Sequence, residues 1–321
     1  MKRRALQLVC VFIVIYAANF FLPRLMPGDP LQYTSSVSGE DMQGGYSAEQ
    51  REILRSYYGL DRPLGEQFLK TLGQNLRGEL GESISYKKPV SQVLLERTPW
   101  SLWVMGAALA VSLAAGCAAA LWCVQKPRAD RAAYLVFSVL AELPAFLTGV
   151  LLLFFVAGRL GWFPLSGGMT PFLEYTSVWG ALADILWHSA LPILTLALGM
   201  APGFFFTARA SFLTALEKPF LLGAQAKGLA RMRIRLQYIL RNSLPPLRAK
   251  AFLSVGRAVG GTVLVENVFA YPGLGKALRE AVAYRDYPMI QGIFLLSAAV
   301  VCISLFCADL LGAKAEGREL G

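Results

Sequence analysis

The sequence predicts an all-α integral membrane protein with six transmembrane helices and an extracytoplasmic segment after the first of them. Three observations predict it. Apolar residues make up 55% of the 321 positions and charged ones only 16%, with a mean hydropathy of +0.48, more apolar surface than a soluble chain of this length hides. Charge is segregated, with 31 Lys and Arg and 21 Asp and Glu gathered mostly into stretches between long apolar runs. Six of those runs reach the roughly 20 residues that a helix needs to cross a bilayer core about 30 Å thick, where backbone groups must be satisfied within the segment.

The first run, Ala5 to Leu22, follows Lys2, Arg3 and Arg4. It is too long for the apolar core of a signal peptide and lacks a small-x-small cleavage site before Pro23, so it reads as a retained helix. The others are Ser101 to Val124, Ala133 to Ala157 with a kink expected at Pro144, Ile185 to Thr207, Ala251 to Ala270, and Met289 to Leu311. Arg257 and Glu266 interrupt the fifth. The domain division is then an N-terminal tail and first helix over 1–23, an extracytoplasmic segment over 24–100, and a core over 101–321 that contains a cytoplasmic loop, 208–250. In the extracytoplasmic segment Ser47 is a candidate N-cap for a helix ending at Gly59, and Pro63 to Leu72 reads as a second short helix. That segment is either a small cap or a docking surface for a partner.

Orientation comes from the basic residues of the connections. The segment from Arg24 to Trp100 has nine basic and ten acidic residues, whereas Ala208 to Lys250 has nine basic residues against Glu217 alone. The N-terminus, the turn with Lys126, Arg128 and Arg131, the 208–250 loop and the C-terminus are therefore expected in the cytoplasm. The loop with Lys276, Arg279 and Arg285 weakly dissents.

Much chemistry is excluded. Cys10, Cys117, Cys123, Cys302 and Cys307 lie in apolar runs without CxxC or Cys/His grouping, so neither a disulfide framework nor a metal site is indicated. The single histidine, His188, gives a catalytic triad almost nothing to work with. Pro272-Gly-Leu-Gly-Lys276 lacks the loop length and the Ser/Thr of a nucleotide-binding P-loop. The chain is expected to bind no cofactor or metal, to catalyse no reaction and to bind no nucleic acid.

The most informative stretch is Lys218 to Gly228. Pro219 suits a first helical turn, Gly228 suits a C-terminal stop, and Lys227 sits where the helix dipole favours a cation. Gly223, Ala224 and Ala226 let another backbone approach closely, as a helix seated in a partner's groove requires. The alternative is a basic amphipathic helix lying on anionic lipid headgroups. A second helical stretch follows through Met232 and Leu240, and Pro245-Pro246 is expected to close it.

Ala224-Gln-Ala-Lys-Gly-Leu229 with Leu240-Arg-Asn242 and Pro246 resembles the "EAA" loop of ATP-binding-cassette importer permeases, in the version of the peptide/nickel family. The resemblance covers nearly the whole chain. It includes Met26-Pro-Gly-Asp-Pro30, Tyr58-Gly-Leu-Asp-Arg-Pro63, Gly78-Glu-Leu-Gly-Glu-Ser83, Leu191-Pro192, Arg209 through Leu213, Glu266-Asn-Val-Phe-Ala-Tyr-Pro-Gly-Leu-Gly275 and Arg285-Asp-Tyr-Pro288. Departures are Leu222-Gly223 where the wider superfamily has Glu-Ala, Pro245 before Pro246, and Leu305 in place of an Asn. The resemblance implies a MetI-like helix bundle in the bacterial inner membrane. Its implied partners are a second, similar permease, two ATPase subunits that use ATP and Mg²⁺, and an extracytoplasmic substrate-binding protein. The residues implied for ATPase coupling are Gly223, Ala224, Ala226, Lys227 and Gly228, with Arg241, Asn242 and Pro246 setting the loop's return. Peptide and nickel cargoes both fit the motifs.

Charges inside spans are functional candidates because each costs roughly 2.5 to 3.5 kcal/mol at a helix centre on insertion scales. Glu142, expected mid-span before Pro144, and Glu266 are candidates for the translocation pathway. Arg257 is a third, and its spacing from Glu266 puts the two on different faces of one helix. The same carboxylates leave open a second function, an ATP-independent transporter with a proton relay.

Overall fold

The computed structural model describes residues 2–25 and 48–319, with side chains for 10–25 and 49–310. The Met26–Pro30 motif and the expected Ser47 cap lie outside the described residues. Among those described the chain is helical, without strands. Its helices are α1 (Lys2–Arg24), α2 (Ala48–Tyr58), α3 (Leu64–Leu76), α4 (Val90–Cys123), α5 (Pro127–Glu142), α6 (Ala145–Leu152), α7 (Val178–Leu216), α8 (Phe220–Ala226), α9 (Arg231–Arg233), α10 (Arg241–Val268), α11 (Leu274–Ala283) and α12 (Tyr287–Glu319). Two π-helical turns, Leu153–Arg159 and Ile234–Leu240, continue α6 and link α9 to α10.

Three described helices are long and apolar enough to cross a membrane: α4, α7 and the Tyr287–Leu310 part of α12. A fourth span is counted if α5 and α6 are taken together, but they are bent by 96°. The kink expected at Pro144 is thus a break. Leu143 is extended (φ −78°, ψ 121°) and Pro144 starts the next helix, because the proline ring disfavours the helical conformation of the residue before it. The fifth helix also differs from expectation. α10 begins at Arg241 instead of Ala251 and carries Pro245 and Pro246 inside it, so the prolines do not close the preceding stretch. Pro245 and Pro246 lie in the opening turns of α10, directly after the π turn, and their missing N–H groups leave the carbonyls of Arg241 and Asn242 without the usual helical donor. One turn earlier, Asn242 Nδ2 and Ser243 Oγ donate to the carbonyls of Tyr238 and Ile239 (2.5 and 3.0 Å).

The chain divides into two compact units, and α4 and α12 contribute to both. The first comprises residues 1–101 and 272–299; the sequence-based division at residue 100 leaves the second of these stretches in the core. Its interior is Val90, Val93 and Leu94 of α4 packed with Ala277, Ala281, Met289, Ile290 and Ile293. Tyr16, Phe20 and Phe21 of α1 surround the Phe68 ring of α3 at centroid distances of 5.1 to 5.8 Å. As expected, α2 stops at Gly59, whose φ of +65° is left-handed, and Pro63 precedes α3.

Buried Asp286 links sequence-distant motifs of this unit. It accepts hydrogen bonds from Ser83 Oγ (2.5 Å), Ser85 N (2.9 Å) and Ser85 Oγ (2.7 Å), while its other oxygen accepts from Met289 N in the first turn of α12 (3.1 Å). Four donors compensate a carboxylate that is fully out of solvent. Nearby, Tyr86 Oη donates to Glu280. Burial and that carboxylate push the Tyr86 phenol well above the ordinary tyrosine range.

The second unit comprises residues 102–271 and 300–321. Its interior joins Ala120 of α4, Phe205, Ala208, Phe212 and Ala215 of α7, and Leu221, Ala224, Ile234, Ile239 and Leu247 of the stretch that follows. Phe137 of α5 stacks on Phe205 at 4.2 Å. α4 and α7 meet at Gly116, where a Cβ would lie 2.8 Å from Phe205 N and 2.9 Å from Ala201 O. Small residues allow this backbone approach in apolar surroundings. Gly116→Ala is therefore expected to destabilise the protein by about 1–3 kcal/mol through overpacking, read as a lower thermal midpoint in detergent. Gly106→Ala, on the same helix with open space at its Cβ, is expected to leave the midpoint unchanged or raise it.

Candidate functional site

The second unit presents a short helix, α8, on a turn of small and basic residues. Pro219 precedes it, and Lys227 N and Gly228 N donate back to Gly223 O (3.2 Å) and Gln225 O (2.9 Å). Gly228 takes a φ of +67° with open space around the position of a Cβ, so backbone conformation, not crowding, requires glycine there. One face of α8 is internal: Leu221 and Ala224 are 4% and 2% exposed and join the core with Ile234, Ile239 and Leu247. The Phe220 ring also stacks on Tyr238, with centroids 6.4 Å apart.

The opposite face is exposed. It carries Leu222, Gly223, Gln225, Ala226, Lys227 and Gly228, and Leu222 is 69% exposed. Arg241, Asn242 and Pro246 are exposed as well. The structure therefore separates Ala224, which faces inward, from the other small residues read as coupling positions. Lys218, Lys227, Arg231 and Arg241 form no ion pair among the described residues. The result is an apolar ledge of small side chains within a field of uncompensated positive charge, a surface suited to an acidic groove.

The three pathway candidates are not brought together. Glu142 is the last residue of α5, exposed at the break, and is not in the middle of a continuous span. Glu266 of α10 is fully buried, whereas Arg257 on the same helix is exposed. Tyr271 N donates to Glu266 O (2.8 Å), and the Tyr271 side chain is buried beside Glu266 and Ser189. α10 thus ends in a turn that closes at Tyr271. Gly167 N also ties the 160–177 loop to Phe269 O at 3.0 Å. Gly261 of α10 packs against Leu196 of α7.

Two ionic anchors escape sequence reasoning. Asp184 near the start of α7 accepts from Thr170 N (2.7 Å), Thr170 Oγ1 (2.7 Å) and Tyr175 Oη (2.6 Å). His188 lies one turn on, with Nδ1 3.4 Å from Asp184 Oδ1. This assigns His188 a packing role in a loop clasp. The Asp184 hydrogen bond raises the Tyr175 phenol above its ordinary value. Asp130 and Arg209 pair in a two-pronged bridge, Nε to Oδ1 at 2.7 Å and Nη2 to Oδ2 at 2.6 Å, fastening α5 to α7. Both anchors join residues far apart or on opposite sides of a loop, and no local pattern announces them. Among the described residues no group of three or more His, Cys, Asp or Glu side chains is placed to hold a metal ion.

A helical chain with several membrane-length apolar helices and a short exposed helix on a basic loop defines a polytopic membrane component of a larger machine. The chain belongs to the family "Binding-protein-dependent transport system inner membrane component", whose model matches residues 112–318. It is 34% identical over 304 residues to a provisionally named peptide permease protein of Brucella ovis, covering 93% of this chain and 92% of that one. It is 32% identical over 314 residues to the glutathione transport system permease protein GsiC of Pectobacterium atrosepticum (96% and 94% covered) and 31% identical over 308 residues to GsiC of Escherichia coli K12 (94% and 93%). The protein is thus a multi-pass membrane permease subunit of an ATP-binding-cassette importer, a system that includes a substrate-binding protein and ATPase partners.

The two faces of α8 respond differently to bulk. Ala224→Leu is expected to force α8 off its core and lower the thermal midpoint, a loss of about 1–3 kcal/mol. Ala226→Leu, on the exposed face, is expected to leave the midpoint within the error of the same melting measurement.

Proposed function

We propose that this chain couples ATP hydrolysis by its partner subunits to import of short peptides, with α8 as the coupling element. The observation that carries the reading is the exposed face of α8, where small and apolar residues sit among cations without carboxylate partners. ATP-driven closure of two ATPase subunits beneath a pair of permeases pushes on this helix, and α10, which shares its core through Leu247 and through Ile239 of the preceding π turn, conveys the displacement into the membrane. The chain itself binds no cofactor; ATP and Mg²⁺ act in the ATPases.

In this reading α1 and α10 complete a six-span core in the bacterial inner membrane. The basic 208–250 loop and both termini face the cytoplasm, and residues 24–100 lie outside, where the binding protein delivers cargo. The excess of Lys and Arg in the 208–250 loop supports that orientation. Relatives named for peptide and for glutathione transport support a peptide cargo. Glu266 and Glu142 are proposed to line the pathway, with Arg257 on the opposite side of α10.

Two measurements test this. Deleting the gene with its partners held constant should abolish ATP-dependent uptake of labelled di- and tripeptides; selective loss of nickel-chelate uptake would instead assign a metal cargo. Gly228→Trp should cut uptake at least tenfold while ATP hydrolysis persists and the protein remains in the membrane at normal amount. Unchanged uptake in that variant would remove α8 from the coupling path.

A further inference from the structure

The first unit contains a cavity of about 290 Å³ that coupling at α8 does not use. Its lining includes Arg24, Lys70, Glu79, Glu82, Gln67 and Gln291, all within that unit. Arg24, half-buried at the end of α1, donates Nε to Gln67 Oε1 (3.0 Å) and Nη1 to Phe20 O (2.9 Å), and its guanidinium lies 3.7 Å above the Phe20 ring. Among the described residues no carboxylate pairs with it, and Nη2 makes no hydrogen bond. The second observation is independent. Gln291 is 8% exposed, its backbone carbonyl is held by Asn19 Nδ2 at 3.0 Å, and its side-chain Nε2 has no acceptor. Leaving such a donor buried and unpaired costs about 1–3 kcal/mol. Asn19 Oδ1 also lacks a donor, but Asn19 is not part of the lining.

A half-buried guanidinium with a vacant N–H and a buried amide donor call for an anionic oxygen acceptor. The lining also carries the opposite sign: among the described residues the Glu79 carboxylate has no ion pair, and the Glu82 carboxylate accepts from Tyr57 Oη (2.9 Å) and pairs with no cation. Lys70, also unpaired, adds a second cation. A solute bearing one anionic and one cationic end matches both halves. The volume sits at the lower limit of ligand pockets, about 300–1,000 Å³, which favours a small molecule over an extended chain.

We propose that this cavity binds a di- or tripeptide, its α-carboxylate received by Arg24 and Gln291 and its α-ammonium by Glu79 and Glu82. The proposal rests on the peptide-cargo reading and adds a site on the permease's first unit. Such a site holds peptide on the permease independently of the binding protein.

The test uses the assembled permease and ATPase complex in nanodiscs, without binding protein, and equilibrium binding of radiolabelled dialanine. Saturable binding is expected, with dialanine amide and N-acetyl-dialanine each about tenfold weaker, since each lacks one charged end. Gln291→Leu should weaken dialanine about tenfold, and Glu79→Gln, at an exposed position, should weaken dialanine while leaving N-acetyl-dialanine unchanged. Absence of saturable binding, equal binding of the amide, binding indifferent to Gln291→Leu in a folded complex and to Glu79→Gln, or displacement of dialanine by phosphatidylglycerol in the disc would each overturn the proposal. Peptide uptake by the complete importer separates the two readings. Uptake without this binding overturns the cavity alone, and binding without uptake of any peptide overturns the cargo assignment alone.

Discussion

The structure depends on one constraint: in apolar surroundings each backbone N–H and C=O must find its partner inside its own helix. This is why the described chain is helical, and why departures from helix coincide with local means of satisfying the freed groups. Ser112, Thr195, Thr207, Ser211, Ser243, Ser254 and Thr262 all donate to the carbonyl four residues earlier. Inside α7, Pro192 and Pro202 each remove a ladder bond, yet the helix runs unbroken from Val178 to Leu216. At Pro144 the chain turns instead.

The same constraint applies with greater force to charge. Asp286 is admitted to the interior of the first unit by four donors, and in the second unit the partly buried Asp130 is held by a two-pronged guanidinium. Asp184 is held by three donors and a histidine contact. These carboxylates are structural fasteners, each joining elements that the chain alone leaves unconnected. Glu142 stands apart, exposed where α5 ends and without a fastening role in this chain. Desolvated charge is costly, so a membrane helix ending on an unfastened carboxylate points to water, a substrate or another subunit at that position.

Sequence reading succeeded where a local rule governs. Hydropathy located the long helices, Gly59 and Gly228 marked stops that require left-handed backbone, and Pro63 and Pro219 marked starts, whereas Pro144, read as a kink in one span, is a break. It failed where the outcome depends on what lies across the fold. The continuation of α10 through Pro245-Pro246 places both prolines in its opening turns, directly after a π turn that no local pattern announces. The inward orientation of Ala224, against the outward one of Ala226, depends on which side of a two-turn helix meets Ile239. Asp286 reads locally as part of a turn motif, and its meeting with Ser83 and Ser85, about two hundred residues earlier, has no periodic signature.

That division clarifies how a short helix can transmit force in the proposed importer. A helix held only at its ends would absorb a push by bending its own loop. α8 instead inserts Leu221 and Ala224 into a core shared with Phe212 of α7 and with Ile239 and Leu247 on either side of the start of α10. A close-packed interior has low compressibility, so displacement of the exposed face moves α10 together with α8. α10 then carries that motion along its length to Glu266 and the Tyr271 turn. The π turn at Ile234–Leu240 lies between α8 and α10. The side chains of Asn242 and Ser243 donate to two of its carbonyls, Tyr238 and Ile239, so a local change of register there keeps those two groups bonded, as a π segment at a functional hinge requires.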